Sequence, residues 1–545
     1  MKRNLLIVAA TMLGALSTAH AASGSLLGRI EFPTTGPKIA QQHFLRGMLA
    51  MHSFWYDEAL DEFRAATKVA PSFAMGYWGE ALTYYHPVWE SENLVASRAA
   101  MAKIPANAPL SDRERGFIDA AKILFGDGDR ETRWQAYASA LAKLHDSYPK
   151  DDEAATLYSV ALLGTRKRGH GFRPFAEAAA VSLGVLAHNP DHPGAAHYVI
   201  HAFDDPEHAV LALPAARRYA QIAPEASHAQ HMPSHIFVQL GMWREAQASN
   251  EAAWAASVSA AKKRQHDSSY YDFHSLAWLM SISFERGQRR HAEEVLQRGR
   301  DALTRTKDPD LMPLRVGEMA SEYLLTTNDW ARSDELLAPL ATVEASVSGS
   351  AFRASTPGCA CHVKKAATHA ALQAQALLAF THGQAAAVGR NVAQLESSRQ
   401  ALVGVLAKMD KEAADDWRVS VLILDSQLAE LRNQPKTAID SLRKAIALDE
   451  AVPPSGPAGA VTPRERLGEL LLRQHRPADA LKEFRQSLDS HPRRSRSLLD
   501  AATAAGLVDP KAARDYFSQL AANWTNADQE TVGLSDARAA AETAR

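Results

Sequence analysis

The chain has 545 residues, with 60 Lys and Arg against 62 Asp and Glu and a formal net charge of −2. The two signs are mixed along the sequence, which argues against a strongly basic nucleic-acid surface or an anionic-lipid surface. With 46% apolar residues and only two cysteines, stability has to come from helix packing rather than disulfides, and the length predicts several units or one extended array.

The first residues read as a secretory leader. A charged start (Lys2, Arg3) is followed by the apolar run Leu5 to Leu16 and by Ala19-His20-Ala21, a small-x-small cleavage site. The run is shorter than the roughly 20 residues that span a bilayer. The expectation is a signal peptide over residues 1–21 and a periplasmic or secreted product with no membrane span once the leader is removed.

From residue 22 onward apolar residues recur at three and four along almost every segment, β-branched runs are scarce, and turn signals between alternating strands are missing. The chain is predicted to be all-α. A spaced set of residues appears twice, as Gly47, Ala59, Phe63 and Pro71 and again as Gly468, Ala480, Phe484 and Pro492. Small residues allow two antiparallel helices to approach, the aromatic fills the gap beside them, and the proline ends the second helix. Partial copies occur at Gly241, Trp243, Ala246 and Ala253, at Gly287 and Ala292, and at Ala438, Leu442 and Ala445.

These residue types at these spacings resemble the tetratricopeptide repeat family, whose unit is about 34 residues. The resemblance implies a superhelical solenoid of antiparallel helix hairpins with a concave binding groove. The strings Met51-His52-Ser53-Phe54-Trp55-Tyr56-Asp57-Glu58-Ala59 and His231-Met232-Pro233-Ser234-His235-Ile236-Phe237 are also similar to those of a secreted bacterial subgroup of repeat proteins. That likeness implies a fold and no reaction. Punctuation divides the array into a His-rich part over 22–347, a Ser/Gly/Pro loop over 348–365, a second array over 366–525 and a polar tail or helix over 526–545. Val452 to Pro463 reads as a further loop.

Eight of the 22 histidines fall between His188 and His235. Imidazole is a metal ligand and a proton carrier near neutrality. His197 and His201, and again His231 and His235, are spaced so that a helix puts each pair on one face. Pro233 lies inside the second pair and predicts a helix start at Met232 or Pro233, with His231 displaced to the cap. Counted in the register of the resembled family, His52 and His86 fall at position 13, His231 and His235 at 5 and 9, His201 at 12 and His274 at 2, all groove positions; His197 falls at 8, facing a neighbouring helix. The expected ligand set is therefore His52, His86, His197, His201, His231, His235 and His274, with His188, His192, His208 and His228 outside it.

Three or more imidazoles suit Zn, Fe or Cu, and spacing does not choose among them. Glu80, Asp204, Asp205, Glu207 and Asp272 are candidate carboxylate ligands or acceptors for the second imidazole N–H. Trp55, Trp78, Trp89 and Tyr85 are expected as apolar walls, and Phe54-Trp55-Tyr56 as packing. Cys359-Ala360-Cys361-His362 lacks the second spacer of a haem-attachment motif and is taken as a disulfide or loop thiol pair. Two functions follow. One is an exported scaffold holding a peptide, protein segment or small molecule together with a metal. The other is a metal-dependent hydrolase or oxidoreductase using the same histidines, since no nucleophile triad or phosphate loop offers a rival scheme.

Overall fold

The structure, a computed structural model, describes residues 26–165, 171–307, 309–343, 360–451 and 456–543. The leader, the basic run Arg166 to Arg168 and Cys359 lie outside the described residues. The segment read as a loop is helical from Ala360 onward, in the long helix Ala360–Val388.

The described residues are predominantly helical. Successive helices pack antiparallel as hairpins: α1 (Lys38–His52) on α2 (Tyr56–Val69), then α3 (Ala74–Leu82) and α4 (Leu94–Met101), α5 (Asp112–Leu124) on α6 (Arg130–Ser147), α7 (Asp152–Gly164) on α8 (Arg173–Leu186), and α9 (Pro193–Ala202) on α10 (Ala209–Ile222). The short helices α11 (Ser227–His231) and α12 (Pro233–Gln239) then pack on α13 (Trp243–Lys263), and α14 (Phe273–Glu285) packs on α15 (Arg289–Thr304). Beyond α16 (Met312–Thr327) the same alternation runs from Ala360–Val388 to Leu534–Thr543. A two-stranded ribbon, Tyr85–His86 against Ser91–Glu92, interrupts it.

The reason for the repeated Gly and Phe is visible at both ends. A methyl group on Gly47 would lie 2.8 Å from Phe63, and one on Gly468 would lie 2.5 Å from Phe484. Ala59 and Ala480 are fully buried at the same crossings. Ends are set locally: Ser111 with Glu114 and Thr462 with Glu465 close reciprocal caps, and Pro193, Pro233 and Pro477 stand where a first-turn N–H has no partner to lose.

The array also doubles back, which neighbour-to-neighbour stacking does not anticipate. Arg494 is buried between Glu465 and Glu285, at 2.7 Å and 3.1 Å. Trp243 Nε1 donates to the Arg493 carbonyl at 3.0 Å, and the Asp528 N–H donates to the Gly287 carbonyl at 2.9 Å. Gly456, in the Pro/Gly-rich segment, lies against the ring of Trp278.

Candidate metal centre

The histidines come together in three groups rather than along one line. Each group brings its ring nitrogens or carboxylate oxygen within 4.8 Å of one another: His197, His201 and His228; His231, His235 and His274; and His52, Glu153 and His192.

In the second group the chain continues helically through Met232, at φ −53° and ψ −36°, into Pro233 at the first position of α12. His231, the last residue of α11, therefore stays in register with His235, and the displacement expected from Pro233 does not occur. The two Nε2 atoms are 3.1 Å apart. His231 donates its Nδ1–H to Asn250 Oδ1 at 2.7 Å, while Asn250 Nδ2 donates to the Ala246 carbonyl at 2.8 Å, which fixes the amide orientation. His235 donates its Nδ1–H to Asp204 Oδ2 at 2.7 Å, and Asp204 Oδ1 accepts from Gln239 at 3.1 Å. Both imidazoles are thus held in the tautomer that leaves Nε2 as a lone pair. Trp278 walls this group, with ring centroids 4.8 Å from His231 and 4.4 Å from His235.

The first group repeats the device with a backbone acceptor. His197 donates Nδ1–H to the His52 carbonyl at 2.7 Å, and its Nε2 meets His228 Nε2 at 3.1 Å. Phe54 takes a left-handed backbone conformation, φ 52°, in the turn between α1 and α2. Its ring packs against His197 at 4.3 Å, and also lies near His201 and His228.

Burial pushes the His197 and His231 imidazoles well below their ordinary value, and neighbouring imidazoles, His201 and His228 for the one and His274 and His235 for the other, lower them further. Burial also brings His228 down to about 3. These rings are neutral at pH 7, the form that binds metal.

The third group supports the first. His52 Nε2 and His192 Nε2 bond the two oxygens of Glu153 at 2.9 Å and 3.1 Å, and all three residues are fully buried. His192 Nδ1 accepts from the Ala195 N–H, so its Nε2 is the donor. His52 Nδ1 pairs with the Tyr198 hydroxyl at 2.9 Å. Burial alone would raise the Glu153 carboxyl, but His52 and His192 outweigh it and hold it at about 2. A Cβ on Gly194 would lie 2.3 Å from His52 Nδ1, so only glycine lets α9 start so close.

Several expectations are corrected. His52 does not face a groove; it closes the last turn of α1 onto Glu153. His86 joins none of the three groups, because α3 ends at Leu82 and the chain enters the ribbon, which voids the helical register used to place it. Its Nε2 bonds the Thr83 carbonyl and its ring packs on Tyr56. His228 and His192, expected outside, take part; His188 and His208 stay outside, paired with Asp152 and Asp205. His197, His231 and His235 are buried rather than spread on an open concave face, while His201, His228 and His274 reach the surface.

Of the acidic candidates only Asp204 touches a grouped imidazole directly by hydrogen bond. Glu80 is paired with Arg64 and Lys103, and Asp272 with Ser227 and Ser275. Trp78 and Tyr85 belong to the core, against Phe117 and Trp134. Trp89 does flank His228, at 5.7 Å. Glu153, Asn250 and Trp278 had no signal that spacing could detect, since each meets its histidines only through the tertiary fold. His228 did have one: it precedes His231 by three residues, one helical turn.

A cavity of about 210 Å³ opens beside the first group, lined by Phe54, Trp55, Asp57, His228, Arg264 and Asp272 among others. Among the described residues no helix is long and apolar enough to cross a membrane.

No family model and no curated protein matches the chain. Among solved structures it is similar to the human IFIT1 dimer with PPP-AAAA, at TM-score 0.36 and 15% identity over 91% of this chain and 92% of that one. It is also similar to the APC/C hetero-tetramer Cut9-Hcn1, at TM-score 0.35 and 11% identity over 85% and 76%, and to yeast Tom70, at TM-score 0.32 and 12% identity over 93% and 96%. The functional reading therefore rests on the histidines themselves.

Proposed function

We propose that this chain is an exported tetratricopeptide-type scaffold that holds a transition-metal ion, Zn, Fe or Cu, among the histidines of α9, α11, α12 and α14, and presents it to a peptide or small ligand. One observation carries the reading. His231 and His235 each commit Nδ1–H to a fixed acceptor, so two Nε2 lone pairs face each other at 3.1 Å. Such a contact is repulsive without a cation. Metal–imidazole bonds of about 2.0–2.1 Å separate neighbouring donors by about 2.9–3.4 Å. The carboxylate–imidazole pair Asp204–His235 is the arrangement that orients ligand histidines elsewhere.

The partly buried His201 and His228, the latter lining the cavity, favour a second reading in which a metal with an open position carries out hydrolysis or oxidation. Element analysis of untagged protein tests the shared premise. Near-stoichiometric metal after reconstitution is expected, lowered in His235→Ala and in His201→Ala. Content far below one ion per chain would overturn both readings, and turnover of model esters or reductants by the loaded protein would favour the second.

A further inference from the structure

Building on the proposed metal centre, we infer that the site binds two metal ions, one on each histidine triad, as a dinuclear centre. His197, His201 and His228 form one donor set, and His231, His235 and His274 the other; in neither does a fourth described side chain bring a donor within the same 4.8 Å. Each set contains its own pair of Nε2 atoms 3.1 Å apart, and each has its own locks: the His52 carbonyl in the first, Asn250 and Asp204 in the second. A lone ion can occupy one triad only and leaves the close Nε2 pair of the other without a metal.

The two sets abut. Ring centroids of His201 and His235 are 6.1 Å apart, as are those of His228 and His231. Three imidazoles on one side of an ion leave coordination positions open on the other. With the triads sharing a seam, a small anion such as hydroxide is suited to bridge the two ions, approaching from the cavity that His228 lines. The donors are imidazole nitrogen throughout, with no thiolate or carboxylate among them. That composition selects Cu or Zn over Mg, Ca or Mn.

Apo-protein prepared with a chelator, loaded with Zn(II) or Cu(II) and passed through a desalting column, should retain two ions per chain by mass spectrometry of the elements. The double variants His201→Ala/His228→Ala and His235→Ala/His274→Ala should each retain one, with helical content by circular dichroism unchanged. Cu(II) resonance should show an isolated-ion signal at one equivalent and a coupled, broadened or silent one at two. Saturation at one ion per chain, or loss of all metal from both double variants, overturns the dinuclear centre and leaves the single-ion reading standing. No retained metal in the wild type overturns both.

Discussion

Glu153→Gln probes the link between the fold and the centre. The carboxylate takes an imidazole N–H on each oxygen, at 2.9 Å from His52 and 3.1 Å from His192, with all three side chains excluded from water. An amide of the same shape offers one oxygen and one NH2, so one imidazole must either turn its N–H on a donor or change tautomer. The Ala195 N–H on His192 Nδ1 blocks the tautomer change that would relieve it there. Losing a buried hydrogen bond to a charged group costs about 1.5–3 kcal/mol, and removing one member of a buried pair about 3–5; about 3 kcal/mol at pH 7 is expected, read from urea unfolding of the apo-protein by tryptophan fluorescence. The carboxyl is depressed to about 2 when folded, so its contribution is complete above the ordinary carboxylate value and fades as pH falls through the folded one. The gap between wild type and variant should therefore narrow between about pH 4.5 and pH 2. A variant within 1 kcal/mol of wild type at pH 7, or a gap that widens in acid, would refute the assignment.

Asp204→Asn weakens the acceptor behind His235 and should lower metal affinity about 10–100-fold, measured by competition with a chromophoric chelator; an unchanged constant would remove Asp204 from the centre. Gly194→Ala puts a methyl against His52 and should destabilise by about 1–3 kcal/mol, with a smaller loss on thermal melting pointing to a loosely held His52. His197, His228 and His231 have depressed folded values, so their contribution to stability is present above about pH 6.5 and is lost as pH falls toward those values. Unfolding free energy of the apo-protein should be level from pH 8 to 7 and drop below 6.5, by about 1.4 kcal/mol per pH unit for each proton the native state excludes. Stability that rises on acidification would contradict this.

The hairpin array was legible because its signals are local. Gly47 with Phe63 and Gly468 with Phe484 advertise a close helix crossing within one unit, and the spacings of His197 with His201 and His231 with His235 survive the fold intact. What escaped detection depends on chain geometry at longer range. Glu153 reaches His52 across 101 residues, and no periodicity in α7 distinguishes it from a first-turn helix acid. A register that puts His86 in the groove needs a helix long enough to carry it, and α3 ends at Leu82. His228 lies one helical turn before His231, so the same spacing rule that pairs His231 with His235 reaches it as well.

The return of the C-terminal helices onto α13–α15 changes how the molecule comes apart. In a stack that touches only nearest neighbours, end units fray independently and stability is a sum over adjacent pairs. Here Arg494 is enclosed by carboxylates 29 and 209 residues away, so opening the terminal helices strands a buried guanidinium and uncovers the middle of the array. Unfolding should then be shared across distant segments, and hydrogen exchange should protect the helix at Ser495–Gly506 nearly as well as α14, although one lies close to the end of the chain.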